Sequence, residues 1–290
     1  HHPDYTIDKM HPLQPANETD TAYERLNKGK DWNKYKAYLH NQIKELLTNY
    51  GKIDIMWLDF SYPDSNGHGK GKDDWGSVAL LKMIRKLQPG ILVDNRLDLD
   101  EYADGADFVT PEQVKPDELS KFAGTYFETC QTFSGSWGYF RDENTWKSNH
   151  DLLTLLITAV SKGGNLILNT GPTARGYFDY RANRALDSIA LWMKYNSQSV
   201  YGCQQAPAAF TVPENTLLTY NRVAKKIYVH LMNYTAQTLV LPGYKGKIKY
   251  AQFLHDASEL RYKEDGNNII VALPANKPNV EVPVIELVLL

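Results

Sequence analysis

The chain has 290 residues, 32 of them basic and 34 acidic, and a formal net charge of −2 at pH 7. This balance gives no electrostatic argument for a nucleic-acid partner or an anionic membrane surface, so neither is predicted. The longest mainly apolar run, 152–160, is too short to span a bilayer. The two cysteines, Cys130 and Cys203, form no CxxC pair, and we expect two unpaired, buried thiols.

The first hundred residues predict helices and strands in alternation. Residues 1–30 are polar and without periodicity, which predicts a loop, and Asp31 is a suitable N-cap for the segment that follows. Apolar residues three and four apart predict an amphipathic helix over 32–50 that ends at Gly51. Further patterns predict a buried strand at 53–58, a loop at 62–72, a helix at 75–87 and a second buried strand at 91–95.

The alternation continues to about residue 200 and then stops. Extended runs are predicted at 107–110 and 125–129, a helix at 149–162, a strand at 165–169 and a helix at 181–195. Such alternation is typical of parallel βα units. From about residue 209 only short strands separated by turns follow, at 217–220, 227–231, 238–241, 248–251, 269–273 and 284–288. We therefore predict a β/α domain at 1–205 and a small antiparallel β-sandwich at 206–290.

Charged side chains follow several of the predicted strands. There are four of them: Asp59, Arg96, Glu112 and Glu128. One such residue is usually a strand cap or half of a surface salt bridge. Four at successive strand ends favour an active site, because the carboxyl ends of parallel strands gather at one edge of the sheet.

Two carboxylates beside aromatic rings indicate glycoside hydrolysis. That reaction uses one carboxylate as nucleophile or base and another as the proton donor to the leaving oxygen. Trp57, Trp137 and Tyr139 would supply apolar faces for a sugar ring. The run 67–72 lacks the spacing of a phosphate-binding loop, and no GxSxG or HExxH motif occurs. We predict neither a metal nor a cofactor.

A set of short motifs carries a resemblance to a known family. The motifs, in chain order, are HHPDY at 1–5, IMWLD at 55–59, DNR at 94–96, TPEQ at 110–113, FETC at 127–130, SWGY at 136–139 and GGNLILNTGP at 163–172. In this order they resemble the α-L-fucosidases of glycoside hydrolase family 29 over most of residues 1–200. The resemblance implies a (β/α)8 barrel followed by a β-sandwich, a retaining mechanism, and Asp59 as the nucleophile.

The resemblance is less specific for the acid/base residue. The TPEQ stretch resembles the subgroup that prefers α-1,3/1,4-linked fucose on branched glycans, which favours Glu112, with Glu128 as the second candidate. Arg96 would bind the sugar or orient a carboxylate. The remaining implied sugar contacts are Trp57, Trp137, Tyr139, His1 and His2. In a retaining enzyme the two catalytic carboxyl groups are about 5 to 5.5 Å apart.

Family members carry about four further βα units before the equivalent of His1. The resemblance therefore predicts only the C-terminal half of a barrel here, with unpaired strand edges and an exposed apolar interior. We expect a homo-oligomer or a second chain that complements the missing half, a fucosylated oligosaccharide or glycoconjugate as substrate, and a secreted or periplasmic location. The alternative is an inactive or partner-dependent half barrel that serves as a carbohydrate-binding or interaction protein.

Overall fold

The structure is a computed structural model that describes residues 2–7, 22–59, 63, 69–99, 105–235 and 237–290. Contacts within the chain divide it into two compact units. Unit 1 is His1–Thr110 and unit 2 is Pro111–Leu290.

Four helices form in the described part of unit 1. They are α1 (Ala22–Asn27), α2 (Trp32–Asn49), α3 (Lys72–Trp75) and α4 (Ser77–Leu87). Helix α2 confirms the prediction at both ends. The Asp31 carboxylate accepts a hydrogen bond from the Asn33 backbone N–H at 3.0 Å, and Gly51 follows the helix with a left-handed φ of 84°.

The structure corrects two predictions for unit 1, a loop at 1–30 and a helix at 75–87. The segment expected to be a loop at 1–30 contains α1, and the side chain of its last residue, Asn27, bonds both the N–H and the C=O of Ile7, at 2.8 and 2.7 Å. These bonds join residues twenty positions apart, which a periodicity pattern does not show. The helix expected at 75–87 is divided at Gly76, whose left-handed φ of 65° separates α3 from α4.

Short parallel strands form the sheet of unit 1. Strand β1 (Ile55–Met56) pairs with β2 (Leu92–Val93), and Phe108 forms a parallel bridge with Asp94. The buried sides of α2 and α4 pack on these strands in one apolar cluster: Ile43, Leu47, Met56, Leu58, Leu80, Leu81, Ile84, Ile91, Val93, Leu97 and Leu99. This packing holds the residues that follow β1 and β2 at the same edge of the sheet.

Unit 2 begins with a second parallel pair. Strand β3 (Glu128–Thr132) pairs with β4 (Asn165–Asn169), and Glu112 forms a parallel bridge with Cys130. Helix α5 (Asn149–Ser161) joins the two strands, α6 (Tyr180–Asn196) follows, and 3-10 turns lie at Pro116–Phe122 and Ser197–Ser199. The extended run expected at 125–129 starts later, because residue 125 still closes the turn that ends the first 3-10 segment.

The rest of unit 2 consists of antiparallel sheets, as predicted. The strands are β5 (Gln204–Gln205), β6 (Thr216–Asn221), β7 (Lys226–Leu231), β8 (Thr238–Leu241), β9 (Ile248–Phe253), β10 (Tyr262–Asp265), β11 (Asn268–Ala272) and β12 (Val284–Leu289). Their orders are β5-β6-β7-β12-β9 and β10-β11-β8. Both sheets contribute to one core that includes Leu218, Val229, Leu241, Val271 and Ile285.

The sequence predicted six of these eight strands. The other two, β5 and β10, have only two and four residues and expose most of their side chains, so neither carries a burial pattern. The half barrel and the domain boundary at 205/206 stay predictions.

Neither cysteine forms a disulfide with a described residue; Cys130 is buried and Cys203 half-buried. Burial raises the pKa of the Cys203 thiol to about 11. Within the described ranges, no helix is both long and apolar enough to cross a membrane.

Candidate functional site

The structure brings Asp59 and Arg96 together at one edge of the unit 1 sheet. Each follows its strand by three residues, Asp59 after β1 and Arg96 after β2. The Arg96 Nη1 donates to Asp59 Oδ1 at 2.9 Å. The Asp59 side chain is 72% exposed, whereas that of Arg96 is 7% exposed. The pair therefore presents a solvent-accessible carboxylate that is held on one oxygen by a buried cation.

Arg96 makes three further contacts with residues that the structure describes. Its Nε donates to Thr110 Oγ1 at 2.7 Å and its Nη2 to the Thr110 carbonyl at 3.2 Å. The guanidinium carbon lies 4.7 Å from the centre of the Trp57 ring. The Asn95 side-chain oxygen accepts from both the N–H and the hydroxyl of Thr110, each at 3.2 Å. The bonds from Arg96 to Asp59 and Thr110 use the planar fork of the guanidinium group, which a lysine does not provide.

Asp94 is a functional candidate that the sequence reasoning missed. Its side chain is fully buried, and its Oδ1 accepts from the Leu58 N–H at 3.1 Å. Its Oδ2 has no hydrogen-bond partner among the described residues. Burial raises the pKa of Asp94 to about 7, the charge of Asp59 adds to this rise, and the Leu58 N–H and Arg96 oppose it. The available signal was a carboxylate directly after an apolar strand, which also marked Asp59.

The two acid/base candidates lie in unit 2, at different positions along their strands. Glu112 is exposed and closes its short extended segment, since Gln113 follows with a left-handed φ of 52°. The Gln113 N–H bonds the Cys130 carbonyl, and its side chain donates to Thr132 Oγ1, each at 2.9 Å. Glu128 is half-buried and is the first residue of β3, at the start of the strand instead of its end. The strand-end reasoning therefore holds for Glu112 and not for Glu128.

Trp137 and Tyr139 lie on the loop that follows β3, with their rings partly exposed. Asn169, the last residue of β4, donates from its side chain to the Trp137 carbonyl at 2.7 Å. A Cβ on Gly171 would lie 2.2 Å from the Tyr139 backbone nitrogen, so the close approach of the two loops requires glycine there. The end of β4 thus fixes the loop that displays both rings.

Glu143 anchors the same loop and was not found from the sequence. Its carboxylate accepts from Ser136 Oγ and Thr145 Oγ1, each at 2.6 Å, and from the Thr145 N–H at 2.8 Å. These hydrogen bonds lower the pKa of Glu143 to about 2. The Arg181 Nη1 donates to the Glu143 carbonyl at 2.7 Å. No strand ends near Glu143, so strand-end reasoning gave no signal for it.

The histidine predictions fall in unit 1. His1 lies outside the described residues. The His2 ring packs against Tyr38 and Tyr35, with centroids 4.5 and 5.6 Å apart, and its Nδ1 accepts from the Asp4 N–H at 3.1 Å. His2 as a sugar contact stays a prediction. Within the described part of the chain, no group of three or more His, Cys, Asp or Glu side chains is placed to hold a metal ion.

Comparison with known proteins gives the family. The profile of the Alpha-L-fucosidase family matches residues 1–198. The chain belongs to the α-L-fucosidase family. Among its relatives, the human plasma α-L-fucosidase is 28% identical over 168 residues, which are 55% of this chain and 34% of that protein. The α-L-fucosidase of Dictyostelium discoideum is 24% identical over 170 residues and is matched over 35% of its length.

Solved structures of the family share the fold over nearly the whole chain. Alpha-L-fucosidase isoenzyme 1 from Paenibacillus thiaminolyticus superposes with a TM-score of 0.81 at 32% identity, covering 98% of this chain and 70% of that one. An α-L-fucosidase from Bacteroides thetaiotaomicron, solved as a trapped covalent intermediate, has a TM-score of 0.74 at 23% identity and is covered over 64%. The chain therefore spans about a third of the length of the first relatives and about two thirds of these structures.

Proposed function

We propose that the chain is a retaining glycoside hydrolase that removes terminal α-L-fucose from glycans, with Asp59 as the nucleophile. One observation carries this proposal, namely the exposed Asp59 carboxylate held on one oxygen by the buried Arg96. This arrangement orients the carboxylate and leaves it open to a sugar. A family relative trapped as a covalent intermediate supports the retaining mechanism.

In the proposed reaction, an Asp59 carboxylate oxygen bonds to C1 of fucose while the glycosidic C1–O bond breaks. Glu112 donates its proton to the leaving oxygen, which departs as an alcohol. Glu112, now a carboxylate, removes a proton from water as that water attacks C1. The ester bond to Asp59 breaks, and fucose leaves with its original anomeric configuration. Protons and electron pairs balance without a cofactor.

Glu112 is proposed as the acid/base and Glu128 as the second candidate. Glu112 is exposed and ends its extended segment, whereas Glu128 begins β3. The TPEQ stretch that contains Glu112 also underlies the proposed preference for α-1,3/1,4-linked fucose. Trp57, Trp137 and Tyr139 are proposed to contact the substrate, because each ring is at least partly open to solvent.

The nucleophile is tested by hydrolysis of an aryl α-L-fucoside. We expect the Asp59→Ala variant to lose at least about a thousandfold in kcat, because no covalent intermediate forms without the carboxylate. Asp54→Ala is the matched control, since this neighbouring aspartate is exposed and its side chain bonds the exposed Lys52. Equal rates for the two variants would contradict the assignment.

Leaving-group dependence separates the acid/base candidates. Without its proton donor, an enzyme loses most of its rate on natural glycosides and little on aryl glycosides with acidic phenols, which leave without protonation. We expect this split for Glu112→Gln, and a similar effect on both substrates for Glu128→Gln. The reverse result would transfer the role to Glu128.

A partner-dependent half barrel is the second candidate function. Ile55 and Leu92 are paired neighbours on β1 and β2, and their side chains are 49% and 46% exposed. Strands of parallel α/β sheets are normally covered on both faces, so this apolar pair favours a homo-oligomer or a complementing chain. Light scattering at micromolar concentration is expected to show an assembly. A monodisperse monomer that hydrolyses the aryl fucoside would exclude this candidate.

A secreted or periplasmic location is proposed from the relatives, because one of them is a plasma α-L-fucosidase. The location of an epitope-tagged chain in its own cells tests this.

A further inference from the structure

A cavity lies in unit 2, and none of the candidate active-site residues lines it. It has a volume of about 520 Å3 and is bounded by the start of α5, the second half of α6, and the segments that follow β9 and precede β12. This volume lies within the range of small-molecule sites, which are usually 300–1,000 Å3.

The inner wall of the cavity is apolar and fixed. Leu153 and Trp192 line it and are both buried. The Trp192 indole N–H donates to the Val282 carbonyl at 2.8 Å, which sets the orientation of the ring. At the rim, Leu191 and Tyr195 are exposed. A ligand that enters would therefore meet a preformed apolar floor and one accessible aromatic ring.

Two polar atoms on residues that line this cavity lack hydrogen-bond partners. Asn196 is 1% exposed; its Nδ2 donates to the Trp192 carbonyl at 3.0 Å, and its Oδ1 accepts nothing from any residue that the structure describes. His255 Nδ1 is likewise buried and unpaired within the described ranges. Buried polar groups in folded proteins are nearly always paired with protein, water or a ligand. Both atoms are closed to solvent in this structure, so the accessible lining determines what the cavity can hold.

The lining chemistry defines what class of occupant fits. Two amides, Asn149 and Asn279, and one carboxylate, Glu281, complete the polar lining. The described lining includes no Lys or Arg, so an anionic ligand would find no counter-charge. Amides, an imidazole and a carboxylate beside an aromatic ring suit a neutral molecule with several hydroxyl groups. We propose that this cavity binds a neutral mono- or disaccharide, at a site independent of Asp59.

The proposal is tested by saturation-transfer NMR with lactose and maltose as probes. Ser188 lines the cavity, and Ser188→Trp would fill it, while Tyr195→Ala removes the accessible ring. Tyr180→Ala is the matched control, because Tyr180 is an exposed tyrosine of α6 outside the lining. Asp59→Ala tests independence from the proposed active site.

We expect wild type, Tyr180→Ala and Asp59→Ala to give equal transfer to at least one probe. Ser188→Trp and Tyr195→Ala should reduce it at least about fivefold. Circular dichroism checks folding, and Tyr195→Ala, which changes an exposed side chain, keeps the test valid if Ser188→Trp unfolds. No transfer to either sugar, or undiminished transfer in Tyr195→Ala, would overturn the proposal and leave a water-filled cavity. Loss of transfer only in Asp59→Ala would also overturn it, by assigning the binding to the active site.

Discussion

The buried carboxyl of Asp94 makes the stability of unit 1 depend on pH, and Asp94→Asn should remove that dependence. Asparagine has nearly the same shape, and its side-chain oxygen can still accept the bond that Asp94 receives from the Leu58 N–H. The substitution therefore removes the titrating group and keeps the packing. Any change in stability between wild type and variant that varies with pH then reports the ionisation of Asp94.

The sign and size of the effect follow from the two pKa values. Asp94 has a pKa of about 7 when folded and an ordinary value of 3.8. Between these values the folded protein holds a proton that the unfolded chain has released, so stability falls as pH rises from about 4 to 7. At 1.36 kcal/mol per pKa unit, the full difference is about 4 kcal/mol. We expect Asp94→Asn to match wild type near pH 4 and to be more stable by about 2 to 4 kcal/mol at pH 8.

Urea unfolding of wild type and variant at pH 4, 5, 6, 7 and 8 measures this difference. Other groups titrate as well; complete burial lowers the pKa of His230 to about 3, which raises stability with pH over part of the range. Such contributions cancel when the two proteins are compared at each pH. Asp54→Asn, a substitution of the same kind at an exposed position, is the matched control. If the free energy of unfolding changes with pH in the same way for wild type and Asp94→Asn, the pKa of Asp94 is not raised and the reasoning is refuted.

Three further predictions concern the loops and the charged pair. Arg96→Lys keeps the charge and loses the fork, so we expect at least about a tenfold loss of kcat/KM on the aryl fucoside. Glu143→Gln should lower the melting temperature in calorimetry, because the amide accepts hydrogen bonds less strongly than the carboxylate, whereas the exposed Glu264→Gln should not. Gly171→Ala should lower it too, since its Cβ would meet a backbone nitrogen at 2.2 Å; Gly90→Ala, with open space, serves as the control.

Elements defined by neighbouring residues were predicted well. Strand β4 has the expected bounds, and α5 begins at the expected residue, where Ser148 and Asp151 form a capping box. In these segments the apolar period, the cap and the terminating glycine lie within a few positions of one another. The same local consistency identified the strands after which Asp59 and Arg96 lie.

Features held by distant residues were not predictable in the same way. The side chain of Asn27, at the end of α1, bonds Ile7, and the short β10 pairs along its length with β11. The Glu143 network depends on the loop returning to bring Ser136 close to the carboxylate. The spacing of residues along the sequence predicts none of these contacts, because each depends on the path that the chain takes between the two partners.

For the candidate site, Asp59 and Asp94 show how far prediction from the sequence reaches. Both are carboxylates directly after apolar strand residues, and in the sequence only the family resemblance assigns a role to one of them, Asp59. In the structure Asp59 is exposed and bonded to Arg96, whereas Asp94 is buried and holds a proton below about pH 7. A neutral Asp94 leaves the positive charge of Arg96 to act on Asp59. The same sequence signal thus marks an exposed carboxylate held by Arg96 and a buried carboxyl with a raised pKa, and burial is the largest cause of that raised pKa.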